Sequence, residues 1–191
     1  MHATELLERQ FNSVNQILHD LADDLTPQEL TSRILPHTNL LAFDLWHVAR
    51  TQDWALQTLA RGVAEVIDEP RWHGRGWLTT PGIGVGLSQA QADELAHRVV
   101  LAEALEYADA VHRALLGWLR KISDRELGRT RDVPKHLARY PIYLEQAMRE
   151  EVPWMFERPP VWRCLAPALG HVRDHLAEMD FLKRQLRARQ A

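Results

Sequence analysis

Leu7, Phe11, Val14, Leu18, Leu21 and Leu25 follow one another at alternating steps of four and three residues, which sets six apolar side chains along one stripe of a helix. The pattern recurs three times. Leu41, Leu45, Val48, Leu56, Leu59, Val63 and Val66 repeat it with Gln52 as the polar member, and Leu101, Leu105, Ala108, Leu115, Leu119 and Ile122 repeat it with His112 on the stripe. The last row, Val161, Cys164, Ala168, His171, His175, Met179, Leu182 and Leu186, moves in steps of three and four throughout. An apolar stripe of this kind has to be buried against another element. Because no segment keeps the period-two alternation of a half-buried strand for more than a few residues, the expected fold is all-α, with four long helices.

Local signals set the expected boundaries. Thr26-Pro27-Gln28-Glu29 has the form of a capping box with proline at the first helical position, so a short turn should follow before Pro36 interrupts it. The second long helix is then expected from about His37 to Ile67. Asp68 to Leu87, rich in Gly, Pro and Trp, reads as an ordered surface loop. Ser88-Gln89-Ala90-Gln91 is a second capping box opening a third helix that ends near Ser123. Pro134, Pro141, Pro153 and the Pro159-Pro160 pair break the pattern from Asp124 to Pro160, which predicts short helical pieces in a long crossing connection. The final helix should run from Pro160 toward Arg187.

With 191 residues, 46% of them apolar, the chain can bury a proper core, and residues 1–191 are expected to form a single domain. Lys and Arg number 23 against 26 Asp and Glu, a net charge of -3 that offers no footprint for nucleic acid or an anionic membrane. Cys164 is the one cysteine, so no intramolecular disulfide can form. No basic-then-apolar leader opens the sequence and no run of about 18 apolar residues occurs, so a cytoplasmic location is expected.

The chemistry concentrates in the histidines. His171 and His175 interrupt an otherwise apolar row, and adjacent helical turns put their rings about 6 Å apart along the axis, a separation one metal ion can bridge. With 10 His in the chain, chance alone gives roughly 0.5 His-x-x-x-His pairs, so two hydrogen-bonded core histidines are the competing interpretation. A catalytic ion usually takes three protein ligands. His47 is the best third candidate, on a flank of the second helix with Asp44, Thr51 and Thr58, while His112 competes from the third.

Other constellations are weaker. Glu94-x-x-His97 is half of a di-iron carboxylate pattern and reads as a solvated face. Gly82-x-Gly84-x-Gly86 follows no strand, so it reads as a tight turn and not a phosphate cradle. Cys164 lies about 10 Å along the axis from His171 and belongs to the core. Trp46, Trp54, Trp72 and Trp77 are packing residues or the roof of an apolar pocket.

Leu45-Trp46-His47-Val48-Ala49-Arg50-Thr51-Gln52-Asp53, the Gly82-Ile83-Gly84-Val85-Gly86-Leu87-Ser88 approach to the third helix and Gly170-His171-x-x-x-His175 together resemble the DinB/YfiT-like superfamily. That resemblance implies a four-helix bundle that holds a metal, commonly nickel or zinc, through one histidine on the second helix and a His-x-x-x-His pair on the fourth. Carried over residue by residue, the ligands are His47, His171 and His175. Relatives include bacillithiol S-transferases and mycothiol-dependent maleylpyruvate isomerases. The resemblance therefore implies a small-molecule substrate and a low-molecular-weight thiol as cosubstrate, and it leaves room for a homodimer. Three imidazoles leave a coordination position open, which suits thiol transfer and also metal-dependent hydrolysis. A non-enzymatic bundle acting through its surface is the remaining alternative. No general base is identifiable, Asp44 being the nearest carboxylate by helix geometry.

Overall fold

The computed structural model describes residues 2–77 and 80–189 of the chain. The first apolar stripe becomes helix α1 (Ala3–Ala22), with Phe11, Val14, Leu18 and Leu21 buried along it and Leu7 half-buried. Helix α2 (Pro27–Leu30) is the turn that the capping box foretells. Thr26 Oγ1 accepts from the Glu29 N–H, and the Glu29 carboxylate accepts from the Thr26 N–H in return.

Helix α3 (Leu41–Asp53) is buried along its whole length, polar positions included, and continues as a π-helical stretch over Trp54–Arg61. The expected span from His37 to Ile67 is thus shortened at both ends. His37 has φ 65°, a left-handed conformation that cannot sit in an α-helix, and Gly62 ends the π-helical stretch at φ 67°. Burial of the Arg50 and Asp53 charges is possible because Arg50 has every donor engaged. Its Nε donates to the Gly82 carbonyl, Nη1 to Tyr107 Oη and Asp53, and Nη2 to Glu65 and Tyr143 Oη. Asp53 in turn accepts from the N–H groups of Val66 and Ile67, which fastens the following segment to α3.

The segment expected to form the third long helix forms two helices. Helix α4 (Gln89–Ala96) belongs to the Ser88 capping box, and α5 (Leu101–Leu119) starts where the apolar row itself starts. The stretch between Asp68 and Leu87 is more than a surface loop. Trp72, Trp77 and Ile83 are buried, and the two indoles meet the Tyr107 ring at centroid distances of 5.3 and 6.4 Å. Leu78 and Thr79 of that segment lie outside the described residues, as does Met1. The crossing connection is made of short pieces: α6 (Asp124–Leu127), α7 (Val133–Leu137), α8 (Gln146–Glu151) and two 3₁₀ turns.

The last stripe is also divided, into α9 (Val161–Leu165) and α10 (Gly170–Ala188). Pro167 stands at the break, where it has no N–H to continue the hydrogen-bond ladder of α9, and Leu169 at φ -114° and ψ -64° departs from helical geometry before α10 begins. Past the break Met179 and Leu182 of the row stay buried, but at the two histidines the core face lies one residue on, at Val172 and Leu176. The buried face of α10 is Val172, Leu176, Met179, Leu182 and Lys183, with His171 exposed and His175 half-buried on its flank.

The four longest α-helices close into a ring in which α1 packs on α5 and α10, and α3 packs on the same two. One core cluster fills that ring. A second lies where the crossing connection and α9 cover the π-helical stretch, and it includes Phe11, Leu115 and Tyr143. The fold is all-α, with no strand among the described residues. No described helix is long and apolar enough to cross a membrane.

Candidate metal centre

His47 reaches the gap between α3 and α10 from the middle of α3, and His171 and His175 reach it from the first turns of α10. His171 Nε2 stands 2.9 Å from His47 Nε2 and 3.2 Å from His175 Nε2, and the His47 and His175 ring centroids are 4.5 Å apart. Two nitrogens sharing a tetrahedral zinc at its usual bond length lie about 3.3 Å apart. The three expected ligands therefore converge within the reach of one ion and could hold it. His112 is elsewhere, with Nε2 3.0 Å from Asn12 Oδ1.

The ring of His47 is fixed by the glycine turn. Its Nδ1 is hydrogen-bonded to the carbonyl oxygen of Ile83, and since a carbonyl only accepts, Nδ1 carries the proton and Nε2 presents a lone pair to the other two histidines. Gly82, Gly84 and Gly86 all take left-handed φ values, so the tight turn expected there is present. At Gly84, φ is 98° and an added Cβ would stand 2.9 Å from Phe43 Cζ and 3.1 Å from Trp46 Cζ3. Glycine is what lets this backbone lie on α3 one turn before His47 and deliver the Ile83 carbonyl.

Electrostatics keep the imidazoles uncharged. Burial, with the neighbouring His175 and His171 adding to it, pushes His47 down to about 3 against the pull of the Ile83 carbonyl. Burial and His171 push His175 down to about 4, and burial lowers His171 as well. At neutral pH all three offer lone pairs and no net charge, the donor chemistry a divalent ion of zinc or nickel type requires.

Asp44 lies one turn before His47 on α3. Its Oδ1 accepts from Asn39 Nδ2 at 2.9 Å and stands 3.6 Å from His175 Nδ1, which has no hydrogen-bond partner. Burial pushes this carboxyl up to about 7. Asp44 thus sits behind His175, on the ring's other nitrogen, where a carboxylate can orient a metal-bound imidazole. Asp44, His175 and Glu178 form a second grouping able to hold an ion, and it shares His175 with the first.

The histidines open on a cavity of about 560 Å³ whose lining is mainly apolar. Phe43, His47 and Thr51 line it from α3 and Trp54 from the start of the π-helical stretch, and Ile83, Val85 and Leu87 line it from the glycine turn. Of the four tryptophans singled out above, Trp54 lines the cavity, whereas Trp46 is core and Trp72 and Trp77 pack around Tyr107. Trp154, from the crossing connection, completes the wall. Thr58 leaves the His47 flank altogether and donates to Glu65, because the π-helical register beginning at Trp54 turns it away. Glu94 and His97 are exposed, and Cys164 is fully buried with its thiol pushed up to about 12 by burial.

The sequence alone did not reveal the Arg50 network or the role of the Ile83 carbonyl. The Phe43, His47, Thr51, Trp54 row was visible as steps of four, four and three, but no rule distinguishes such a row from an ordinary mixed face. Among curated proteins none matches the chain. The family model of the DinB superfamily matches residues 10–179, a span that holds the three histidines, the glycine turn and at least part of each helix of the ring, and the chain belongs to the DinB superfamily.

Proposed function

We propose that the protein is a metal-dependent enzyme that joins a low-molecular-weight thiol to a small, partly apolar electrophile, with His47, His171 and His175 holding a zinc or nickel ion. The observation that carries this proposal is the convergence of three uncharged imidazoles at the edge of a mainly apolar cavity. When bound, such an ion supplies Lewis acidity and holds a thiol as thiolate at neutral pH. The chain supplies placement. Ile83 holds His47 in the tautomer that offers Nε2, and Asp44, 3.6 Å from His175 Nδ1, is the group that would accept from that nitrogen once a bound ion fixes the ring. Phe43, Trp54 and Trp154 exclude water from the space where an apolar electrophile would lie.

Thiol transfer is preferred to hydrolysis for a specific reason. The one carboxylate among the described lining residues is Glu151, which is exposed, and no buried general base faces the cavity to activate water. The test is to assay the metal-loaded protein against a panel of electrophiles with bacillithiol, mycothiol and glutathione, beside His171→Ala and a thiol-free ester panel. Turnover that needs both the thiol and the three histidines supports the proposal. Metal-dependent ester hydrolysis with no thiol requirement would replace it.

A further inference from the structure

Arg163, on α9, is the one cationic side chain among the described residues that line the cavity. It is half-buried, and its guanidinium lies over the Trp154 ring, 5.3 Å from the centroid. Among the described residues the guanidinium has no hydrogen bond and no carboxylate partner. Its nitrogens keep accessible surface, unlike Arg131 Nε, which is buried and unpaired. Glu151, at the end of α8, is the one carboxylate on the same lining, and the two opposite charges do not pair with each other. Glu151 lies near enough to His171 for its charge to act on that ring, so it marks the histidine end of the cavity. From Arg163 toward His171 the chain lines the cavity with Ala166 and Pro167, an apolar strip between the guanidinium and the histidine.

We infer that Arg163 holds a carboxylate of the ligand while the ligand's reacting end lies at the histidines. The donor decides the class. A guanidinium presents its N–H groups in a planar fork that matches a carboxylate with two parallel hydrogen bonds. Contact with the face of the Trp154 ring is an attraction of charge to the ring quadrupole, and it steadies the side chain without calling on a hydrogen-bond acceptor. One cation, on a lining that also carries the Glu151 charge, balances a single negative charge and not the nearly two of a phosphate monoester. Half-burial screens the pairing less than full exposure would. The ligand expected is therefore a monocarboxylate with an apolar body between the acid and the reacting atom. This inference rests on the proposed function only in taking the cavity as the substrate site. The acid belongs either to the thiol or to the electrophile, and one pair of probes represents each.

The experiment measures binding of hexanoate against hexanamide, and of N-acetylcysteine against N-acetylcysteinamide, in zinc-loaded and metal-free protein. Calorimetry gives the affinities, and the tryptophan indole N–H resonances are followed by NMR. The proteins are wild type, Arg163→Gln, Arg163→Lys and Trp154→Phe. In at least one pair the acid should bind the wild type more tightly than its amide and move the indole resonance that Trp154→Phe removes. Arg163→Gln should weaken that acid roughly fivefold to tenfold and leave its amide unchanged, so the loss cannot be a folding defect. Arg163→Lys should keep part of the preference, and added salt should shrink it. The pair that responds tells thiol from electrophile. Absence of saturable acid binding overturns the inference. So does an acid preference that survives Arg163→Gln, as a carboxylate bound to the ion would show. Zinc uptake separates the two claims. An Arg163-dependent preference for hexanoate in a wild type that takes up no zinc strikes the proposed function and leaves the acid site standing. Zinc-dependent thiol turnover in a protein whose acid binding ignores Arg163→Gln does the reverse.

Discussion

His47 on α3 donates through Nδ1 to the carbonyl of Ile83, 36 residues on, and this bond ties the candidate metal centre to the glycine turn. The turn can deliver that carbonyl only while residue 84 lacks a side chain, because its backbone lies against Phe43 and Trp46.

Gly84→Ala should therefore act on both stability and metal affinity. The added methyl meets two rings at φ 98°, which should lower unfolding stability by roughly 1 to 3 kcal/mol. Displacing the Ile83 carbonyl should weaken metal binding about 10-fold or more, as losses behind a ligand do. Denaturant unfolding and a zinc competition titration on the same sample check the two effects together.

Arg50→Met should be among the most damaging single substitutions in the chain. It leaves Asp53 and Glu65 buried with no cation between them, a loss of about 3 to 5 kcal/mol. Arg50→Lys should recover only part of this, since an ammonium cannot reach the Gly82 carbonyl, two tyrosines and two carboxylates at once. Urea midpoints of the three proteins give the ranking.

A pH dependence follows from His47. Its folded value is about 3 against the usual 6.5 or so, so between those values the unfolded chain takes up a proton that the folded chain refuses. The contribution is fully present above the unfolded value and is lost as pH falls. Between pH 7 and pH 5 the metal-free protein should lose about 2 kcal/mol on this account, and His47→Gln should lose that much less. Unfolding titrations of both proteins at the two pH values measure the difference.

Cys164 should be inert in the folded state. It has no exposed surface and its thiol is pushed up to about 12, so a disulfide reagent should label it only after denaturant is added. Rapid labelling of the native protein would show that the second core cluster opens.

The fold was legible where the apolar period had a single phase. Phe11, Val14, Leu18 and Leu21 read as one stripe and are buried as one. On α10 the row from Val161 names Met179 and Leu182, which are buried, but it also assigns His171 and His175 to a core face that at those turns belongs to Val172 and Leu176. The histidine triad was found through family resemblance joined to spacing, and periodicity alone put His47 at a helix edge. It could not see that α3 is enclosed on every side, since Arg50 and Asp53 look like solvated positions until their buried partners on distant segments are known. Such long-range pairing leaves no local signature.

Calorimetric titration with zinc and with nickel at pH 7, in wild type and in His47→Ala, His171→Ala and His175→Ala, decides whether the three histidines hold one ion. One ion per wild-type chain is expected, with a large loss of affinity in each variant and the helical circular dichroism unchanged, because the apolar stripes carry the fold. Wild-type protein that takes up neither ion, or variants that bind as tightly as the wild type, would contradict it.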